Sequence, residues 1–385
     1  MGNGRRVAKK YDTIIVGGSC AGLRTAELLA AAGQRVLVLE RRRHLDRLAR
    51  TWIVTEHLEP VLGFTPHHAI VHRTSVMRMY AGRAVRDVHL ANPDLIVERA
   101  RILPLLAERA VAAGAEIRCG FSAVNIESRQ RGIGISAAPR GPGSAVSEQA
   151  DTLIGADGVH STVARHFRAR AQNTVPIVQA KIELPSGYDA DLTEIWFQPQ
   201  TTRFFFWLIP ESTRTGALGV IAEQSCNARG LLDRFLQERG IRALEYQGAM
   251  IPLHQPFRRI DWRLAGGGRV LLVGDAAAHV KVTTVGGLVS GLWGAKAAAE
   301  SLIKGTSYRR ELRSLHAELH VHDMMRWVLD RFTTSDYEQM LGLLGHGLQA
   351  VLGRHNRDSV ARAKWSLLAA QPRIVTLAAK AVLFP

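Results

Sequence analysis

The chain has 385 residues, of which 46% are hydrophobic and 22% are charged. At about 150 residues per domain, this length predicts two or three domains with a sizeable core. No apolar run reaches the roughly 18 residues of a membrane-spanning helix, which argues against an integral membrane protein. Cys20, Cys119 and Cys226 lie far apart without a CxxC pair, so we expect no disulfide framework, metal site or iron–sulfur cluster. A cytoplasmic location fits this cysteine usage best.

Basic residues outnumber acidic ones by 50 to 34, which gives a formal net charge of +16. Such an excess is typical of proteins that bind nucleic acid, anionic lipid or anionic small molecules. The basic residues concentrate before the first predicted strand, directly after the second one and in the C-terminal tail. None of these clusters carries a nucleic-acid-binding signature, so we expect no nucleic-acid partner.

The first 40 residues predict a strand, a glycine-rich turn, a helix and a second strand. Tyr11–Val16 and Arg35–Leu39 are apolar β-rich runs, and Leu23–Ala32 has apolar residues at helical spacing. The turn GGSCAG, Gly17–Gly22, permits close approach of a pyrophosphate to the backbone, and the next helix offers its N–H groups to phosphates. Glu40 follows the turn by 18 residues, at the position where a carboxylate binds ribose hydroxyls.

This segment predicts a dinucleotide-binding site, with an ordinary βαβ turn as the alternative. Ser19 stands where the usual motif has its middle glycine, and Cys20 is expected to fill space rather than act as a redox thiol. The residues expected to bind the cofactor here are Gly17, Gly18, Ser19, Ala21, Gly22 and Glu40.

Three later segments have the same character. Residues 97–114 predict a helix, residues 151–165 predict a strand that ends in a Gly-Ala-Asp-Gly turn, and residues 269–273 predict a strand that runs into Gly274 and Asp275. A second glycine pair then leads into an alanine-rich helix that continues through Ala299. We expect these turns to meet at one site.

Taken together, the motifs resemble the FAD-dependent oxidoreductases of the para-hydroxybenzoate hydroxylase fold. The shared motifs are the first turn, GADGVHS at residues 155–161 and LVGDAA at residues 272–277, in the family's order. The resemblance implies that Arg99 faces the flavin nucleotide, that Asp157 lies near the pyrophosphate and that Asp275 bonds the ribityl chain. It also implies cofactor contacts from Arg41, Val124, Gly274, Gly286, Gly287 and Leu288.

Within that fold, GDAAAHVKVTTVGGLVSGL at residues 274–292 is similar to the corresponding stretch of geranylgeranyl reductases. The matching residues are Lys281, Thr283, Thr284, Gly286 and Gly287. Val282 replaces the proline of that family and Val285 replaces one of its glycines, which predicts a loop of different shape and a tighter space. FFWLIP at residues 205–210 is similar to a segment of the reductases' substrate sheet.

Several side chains are candidates for substrate binding and chemistry. Phe205 and Trp207 alternate with Phe206, so a strand places them on one face, where we assign them to the substrate; sheet core is the alternative. Lys281 is a candidate partner for a head-group phosphate. His279 is the candidate proton donor because imidazole titrates in the useful range, with a merely polar loop residue as the alternative. No metal site is expected.

The expected fold class is α/β: a Rossmann-like FAD-binding domain of the glutathione reductase and para-hydroxybenzoate hydroxylase type, an inserted β-sheet substrate domain and a C-terminal helical region. The boundaries place residues 1–73, 93–168 and 263–305 in the FAD-binding domain, residues 74–92 and 169–262 in the substrate domain and residues 306–385 in the helical region. A helix at residues 373–383 has an apolar face that suits either an anionic bilayer on the cytoplasmic side or the protein body.

The expected function is hydrogenation of carbon–carbon double bonds in an isoprenoid chain on a lipid, quinone or diphosphate. FAD is the expected cofactor, and the reductant is NAD(P)H or a ferredoxin-like donor. The alternatives are a flavin monooxygenase or halogenase-like enzyme and a peripheral membrane flavoprotein that passes electrons to quinone.

Overall fold

A computed structural model describes residues 10–47, 50–130, 132–345, 351 and 357–383. Within these ranges the chain forms two eight-stranded sheets with helices packed on their faces and between them. No helix in the described ranges is long and apolar enough to cross a membrane. The N-terminal basic residues before Lys10 lie outside the described residues.

The strands follow the chain in an order that mixes the two sheets. They are β1 Lys10–Val16, β2 Val36–Glu40, β3 Thr51–Val54, β4 Ile70–Ala81, β5 Ala84–Glu98, β6 Glu116–Cys119, β7 Phe121–Ser128, β8 Ile133–Pro139, β9 Val146–Gly155, β10 Thr174–Glu183, β11 Leu192–Phe197, β12 Phe206–Pro210, β13 Thr215–Ile221, β14 Ala243–Pro252, β15 Asp261–Arg263 and β16 Arg269–Leu272.

The helices lie mainly at the two ends of the chain and after the glycine-rich turns. They are α1 Cys20–Ala31, α2 Leu58–Leu62, α3 Arg99–Ala112, α4 Thr162–His166, α5 Ala228–Glu238, α6 Leu288–Ile303, α7 Tyr308–Glu311, α8 Arg313–Leu329, α9 Thr334–Gly342, α10 Val360–Ala370 and α11 Arg373–Leu383. Short 3₁₀ turns occupy His67–Ala69 and Gly274–Ala277.

The first sheet, sheet A, has the order β15-β16-β9-β1-β2-β6, and β7 and β8 extend it from β9. Its central strands β16, β9, β1, β2 and β6 are parallel. Parallel strands are covered on both faces, which explains why β1 and β2 are nearly continuous apolar runs. On one face α1 and α6 pack closely through small side chains such as Ala26 and Ala298. The carboxyl ends of the parallel strands therefore meet at one edge, where ligands bind in open α/β sheets.

The second sheet, sheet B, has the order β14-β10-β13-β12-β11-β4-β5-β3. One face packs on α5, where the rings of Phe206 and Phe235 stack with centroids 4.2 Å apart. The opposite face, the inner face of sheet B, faces sheet A and is partly covered by α8, α9 and α10. Phe197 of β11 stacks on Tyr337 of α9 at 4.6 Å, so the C-terminal helices close over the inner face of sheet B.

Sheet B takes more of the chain than the predicted substrate domain. Residues 51–54 of β3 and the last residues of β5 pair in sheet B, although the predicted boundaries assigned them to the FAD-binding part. β5 is a 15-residue strand that runs directly into α3, and its apolar end Leu95–Val97 is buried. The chain thus passes from sheet B into α3 with no loop between them, so the sequence pattern shows no boundary at this point.

The helix at the C-terminal end packs on the protein body. Leu377 and Ala381 of α11 are 6% and 3% exposed and lie in a cluster with Phe332, Tyr337 and Leu341. Lys380 forms an ion pair with Asp336 of α9 at 3.1 Å. The apolar face that suited a bilayer in the sequence pattern is thus covered by α9.

This packing predicts that two substitutions in α11 lower the free energy of unfolding by different amounts. Leu377→Ala should lower the free energy of unfolding by about 2–5 kcal/mol because it removes a buried side chain. Val375→Ala, at a position that is 50% exposed, should change it by less than about 0.5 kcal/mol. Chemical denaturation of the two variants measures the difference, and equal costs would contradict the docking of α11 on α9.

Candidate functional site

A cavity of about 890 Å³ lies between the carboxyl edge of sheet A and the inner face of sheet B. Its volume is within the range of cofactor and ligand sites, about 300–1,000 Å³. Turns after β1, β2, β9 and β16 line one end, which we call the nucleotide end. Side chains of sheet B and of the C-terminal helices line the other, which we call the apolar end. The glycine-rich turns after β1, β9 and β16 and the Gly286–Gly287 pair before α6 therefore meet at one site.

The turn after β1 has the geometry of a phosphate-binding turn. Gly17 has φ +109°, and a Cβ there would lie 2.4 Å from the carbonyl oxygen of Ala156. A Cβ on Gly22 would lie 2.2 Å from the carbonyl oxygen of Gly17, so only glycine permits α1 to start this close to β1. Ser19 is the N-cap of α1 and accepts a hydrogen bond from the Gly22 N–H at 3.2 Å. The other N–H groups of the first turn are available to an anion.

Glu40 ends β2 with its carboxylate at the nucleotide end, and it is 3% exposed. One oxygen accepts the N–H of Gly18 at 2.6 Å and the other accepts the N–H of Arg42 at 2.8 Å. These bonds fix the carboxylate beside the turn, where its remaining lone pairs can receive ribose hydroxyls. Arg41 lines the same end of the cavity.

Asp157 lines the nucleotide end from the turn after β9. It accepts hydrogen bonds from the Ser161 hydroxyl at 2.5 Å and from the Thr162 N–H at 2.6 Å. Burial raises the pKa of Asp157, and these hydrogen bonds oppose that rise. The carboxylate therefore orders the start of α4 as well as facing the cavity.

Two arginines face the cavity without a carboxylate partner in the described part of the chain. Arg99 begins α3, its backbone N–H donates to the carbonyl oxygen of Arg50 at 2.8 Å, and its buried Nε has no hydrogen-bond partner. Arg50 precedes β3, and burial together with repulsion from Arg99 lowers its pKa to about 10. The Asp275 carboxylate acts on both guanidinium groups at longer range, and with no carboxylate in ion-pair contact in the described residues the two cations can form an anion site.

Asp275 and the start of α6 define the middle of the cavity. Burial raises the pKa of Asp275, while the charges of Arg50 and Arg99 lower it. Gly274, Asp275, Gly286, Gly287 and Leu288 all line the cavity. Gly287 is the N-cap of the 16-residue helix α6 and provides no side-chain cap, so the first N–H groups of α6 are free to meet a negatively charged ring edge.

The apolar end is a trough on the inner face of sheet B. Phe205 and Trp207 line it, whereas Phe206 points to the opposite face against α5, so the predicted alternation is confirmed. The Trp207 ring covers Gly219, where a Cβ would lie 2.2 Å from the indole. The other apolar side chains along this trough are Met77, Met79, Val88, Leu90, Ile177, Ile195, Phe197 and Ile221.

Lys281 lines the cavity, but its charge is already matched. It forms a buried ion pair with Asp358, whose other carboxylate oxygen accepts the Thr55 hydroxyl at 2.6 Å. Lys281 lowers the pKa of Asp358 against the opposing effect of burial. A cation that is paired inside the protein has little left for a phosphate, so the structure does not support Lys281 as a head-group ligand.

His279 does not face the cavity, contrary to its assignment as proton donor. It is 1% exposed, and its ring packs on α6 so closely that a Cβ on Gly294 would lie 2.1 Å from its Nδ1. Burial and the neighbouring His316 and His254 hold its pKa well below the usual value. An uncharged imidazole on the far side of the turn cannot deliver a proton to a ligand in the cavity.

Val124 also lies away from the cavity, although cofactor contact was expected of it. The register of β7 against β8 shifts between Ala123 and Asn125, which leaves Val124 as the extra residue of a bulge. Its side chain is 58% exposed, whereas Phe121, Ser122 and Ala123 line the cavity. Because of the bulge, the Val124 side chain lies on the face opposite to the one that strict alternation along the strand predicts.

The sequence motifs missed the residues that close the apolar end. Arg357 and Asp358 lie just before α10, and Arg357 forms an ion pair with Asp94 of β5 at 2.7 Å. His322 of α8 contacts Thr283 through its Nδ1 at 2.5 Å. None belongs to a glycine-rich turn, and the one available signal was the pairing of Glu318 and His322 at i and i+4 on a helix.

Burial makes Cys20 an unreactive thiol. Its pKa is raised to about 12 by desolvation, and it is 8% exposed. At pH 8 only about one thiol in ten thousand is then ionised, and the thiolate is the form that reacts. Iodoacetamide should therefore label the half-buried Cys226 long before Cys20, with all three cysteines labelled after denaturation. Peptide mass spectrometry measures the order, and early labelling of Cys20 in folded protein would contradict this environment.

The residues at the nucleotide end fit FAD. A glycine turn against a helix N-terminus and the unpartnered Nε of Arg99 suit the pyrophosphate, the Glu40 carboxylate suits ribose, and the uncapped start of α6 suits the electron-rich edge of a flavin.

Comparison with known proteins agrees with this geometry. A family model described as "FAD binding domain" matches residues 10–321. Digeranylgeranylglycerophospholipid reductase 2 of Methanothermobacter thermautotrophicus is 28% identical over 307 residues, 72% of this chain and 74% of that protein. Geranylgeranyl diphosphate reductase of Rhodobacter capsulatus is 27% identical over 314 residues, 76% and 75% of the two chains. Rifampicin monooxygenase of Streptomyces venezuelae is 28% identical over 348 residues, 80% of this chain and 68% of that one.

Solved structures share the fold at low sequence identity. A geranylgeranyl bacteriochlorophyll reductase-like protein of Thermoplasma acidophilum superposes with a TM-score of 0.76 at 16% identity, covering 96% of this chain and 98% of that one. The flavin-dependent brominase Bmp2 has a TM-score of 0.69 at 15% identity, with coverage of 93% and 98%. The expected α/β fold and the expected cofactor are confirmed. The chain belongs to the family of FAD-binding oxidoreductases built on this domain.

Proposed function

We propose that this flavoprotein hydrogenates carbon–carbon double bonds of an isoprenoid chain carried by a lipid, quinone or diphosphate. The observation that carries the proposal is the apolar trough on the inner face of sheet B, which belongs to the same cavity as the first turn of α6. Each buried CH₂ contributes about 0.8 kcal/mol to binding, so a long hydrocarbon needs few polar contacts there. Reductase-named relatives at 27–28% identity support the same reaction class.

In this proposal the chain's own residues orient and protect the reaction. Arg50, Arg99 and the Gly17–Gly22 turn hold the phosphates of FAD at the nucleotide end, and Asp275 fixes its ribityl chain. Phe205 and Trp207 hold an alkene against the flavin site, and the C-terminal helices keep water from the trough. Reduced FAD supplies a hydride to carbon, and a proton completes the saturated bond.

The alternative is a monooxygenase, with a halogenase-like enzyme as its variant. It is favoured by the rifampicin monooxygenase relative, which matches a larger share of this chain than either reductase does. The brominase structure adds only a shared fold. The two reactions use the same cofactor and differ in whether oxygen or a substrate alkene reaches the reduced ring.

The reductant in this proposal is NAD(P)H or a ferredoxin-like protein, and the substrate is apolar. We propose a cytoplasmic enzyme that meets a lipid substrate at the membrane surface through residues other than the apolar face of α11, since that face packs on α9.

The reaction class is tested by mass spectrometry of products. FAD-loaded protein with chemically reduced flavin is incubated with prenyl lipids, prenyl diphosphates and prenylated quinones, with and without oxygen. We expect a gain of hydrogen pairs that does not need oxygen. A product that gains oxygen or halogen only in air would replace the proposal with the alternative.

Substrate binding in the trough predicts a specific effect of Trp207. Trp207→Ala should raise KM for a prenyl substrate by about tenfold or more, because loss of a buried aromatic wall removes about 1.5–3 kcal/mol. Trp207→Phe keeps an aromatic ring, so its KM should lie between those of the wild type and Trp207→Ala. Trp327→Ala is the control, since that indole is 50% exposed on α8. Unchanged KM in folded Trp207→Ala protein would make Trp207 part of the sheet core alone.

Cofactor binding predicts a difference between two arginines of α3. Arg99→Met should weaken FAD binding by about 10-fold to 150-fold, the equivalent of one charge-assisted hydrogen bond of about 1.5–3 kcal/mol. Arg101→Met should leave it unchanged, because the Arg101 side chain is 58% exposed and paired with Glu98. Titration of the apoprotein with FAD gives both constants, and equal affinities would remove Arg99 from the cofactor site.

A further inference from the structure

A chain of three buried polar side chains ends at the cavity wall. Glu318 and His322 lie one turn apart on α8 and are 4% and 1% exposed. The His322 ring places its Nε2 3.4 Å from Glu318 Oε1 and 3.1 Å from the carbonyl oxygen of Arg357, and its Nδ1 2.5 Å from Thr283 Oγ1. His322 and Thr283 line the cavity, whereas Glu318 lies behind them. The three side chains thus run from the interior of the helical region to the cavity.

The hydrogen-bond partners determine where the protons lie. Nε2 faces two acceptors, so it carries a hydrogen in both charge states of the ring. In the neutral ring Nδ1 accepts the hydroxyl hydrogen of Thr283. In the charged ring Nδ1 donates to Thr283 Oγ1, which frees the hydroxyl hydrogen to point into the cavity. One protonation event on His322 therefore turns Thr283 from a donor to the ring into a donor to the cavity.

Glu318 is held as a carboxylate behind the ring. Burial raises its pKa, but hydrogen bonds from His322 and from the N–H groups of Ala361 and Val360 outweigh burial, so that the net pKa lies below the usual value. The two N–H···O distances are 2.9 and 2.7 Å. An anion at this place stabilises the charged ring of His322.

The other charges near His322 are matched in pairs. Lys281, two residues before Thr283, pairs with Asp358, and the guanidinium of Arg357 pairs with Asp94. One turn beyond His322 on α8, Arg326 contacts Asp330 at 2.8 Å. Among the charged groups around this ring in the described residues, the Glu318 carboxylate is the one in direct contact with it.

We propose that Glu318, His322 and Thr283 form a proton relay that delivers the proton of the hydrogenation from Thr283 Oγ to a substrate carbon. The Thr283 O–H bond breaks as the new C–H bond forms, and Oγ takes the Nδ1 proton of His322, which leaves the ring neutral. The hydride for the neighbouring carbon would come from reduced FAD when it is bound, and a solvent proton would return to Nδ1 through the Thr283 hydroxyl after the product leaves. Thr283 is the catalytic residue, and His322 and Glu318 are positioning residues that act through it.

This inference rests on the proposed function, and it assigns the proton donor that the motifs left to His279. Thr283 lies at the cavity, whereas His279 points into the contact with α6 and the Lys281 ammonium is held by Asp358. The relay also gives a chemical reason for a histidine that is 1% exposed and bonded at both ring nitrogens.

The relay is tested with FAD-loaded protein, reduced flavin and a prenyl substrate without oxygen. Thr283→Val keeps the side-chain shape without the hydroxyl, and we expect kcat to fall by about 100-fold or more, the usual contribution of a positioned acid, with KM unchanged. Thr283→Ser restores the hydroxyl and should recover most of the rate. His322→Gln should lower kcat, and His320→Gln on the exposed face of α8 is the matched control. The pH profile of kcat should change in Thr283→Val and remain that of the wild type in His320→Gln.

Two results would overturn the relay. One is a Thr283→Val variant with wild-type kcat and pH profile. The other is a Thr283→Ser variant as slow as Thr283→Val, which would make the methyl contacts of threonine decisive. Both require a wild-type protein that hydrogenates its substrate. If the wild type hydrogenates nothing, the proposed function fails by itself, and the relay is then judged without turnover.

Nitrogen NMR of the His322 ring provides that independent measurement. In the FAD-loaded protein we expect the Nδ1 resonance to report the hydrogen bond with Thr283, so it should shift in Thr283→Val and stay unchanged in His320→Gln. An Nδ1 resonance that is the same in Thr283→Val would overturn the relay.

Discussion

Two buried ion pairs hold the C-terminal helices against the cavity. Lys281 pairs with Asp358, and Arg357 pairs with Asp94. Arg357 and Asp358 are adjacent residues before α10, and their partners lie in different parts of the fold. Removing one member of a buried pair typically costs about 3–5 kcal/mol because the other charge is left without a partner in a medium of low polarity. Each pair therefore requires the helical region to be docked. The part of the wall that comes from the segment before α10 is held in place by these contacts.

The two pairs also determine where charge is available to a ligand. At the nucleotide end Arg50 and Arg99 have no carboxylate partner in the described residues, and burial keeps their field strong. At the apolar end Lys281 and Arg357 are paired within the protein. Most of the wall there is aromatic and aliphatic, with polar side chains such as Gln179, Thr193 and Thr283 among them. The cavity therefore offers its positive field to the cofactor and hydrocarbon surface to the substrate. The net charge of +16 contributes little to recognition of the substrate chain.

Short sequence patterns predicted those parts of the site whose geometry depends on residues close together in the chain. The Gly17–Gly22 turn and the alternation of Phe205 and Trp207 depend on neighbours within one or two elements, and the structure has both. His279 lies on the other side of its turn, packed where the absent side chain of Gly294 on α6 leaves room for its ring, and a local pattern does not show this. The local pattern also did not show that the charge of Lys281 is paired, because its partner Asp358 is 77 residues further along the chain. A sequence pattern carries no information about which distant carboxylate will neutralise a cation.

The loop between the Gly274–Ala277 turn and α6 depends on both local geometry and contacts with distant residues. Lys281 bridges Gly286 within the loop, with the Lys281 N–H donating to the Gly286 carbonyl at 3.2 Å. Val285 between them has φ +54°, a left-handed conformation that is unfavourable for a β-branched residue and persists only where surrounding contacts enforce it.

The ion pair to Asp358 is one such contact, and burial of Val285 beside Trp207 is another. The same loop carries Thr283 and leads into the first turn of α6. The shape of this loop therefore depends on the docking of helices that lie outside the glycine-rich motifs, because the partner that holds Lys281 comes from just before α10.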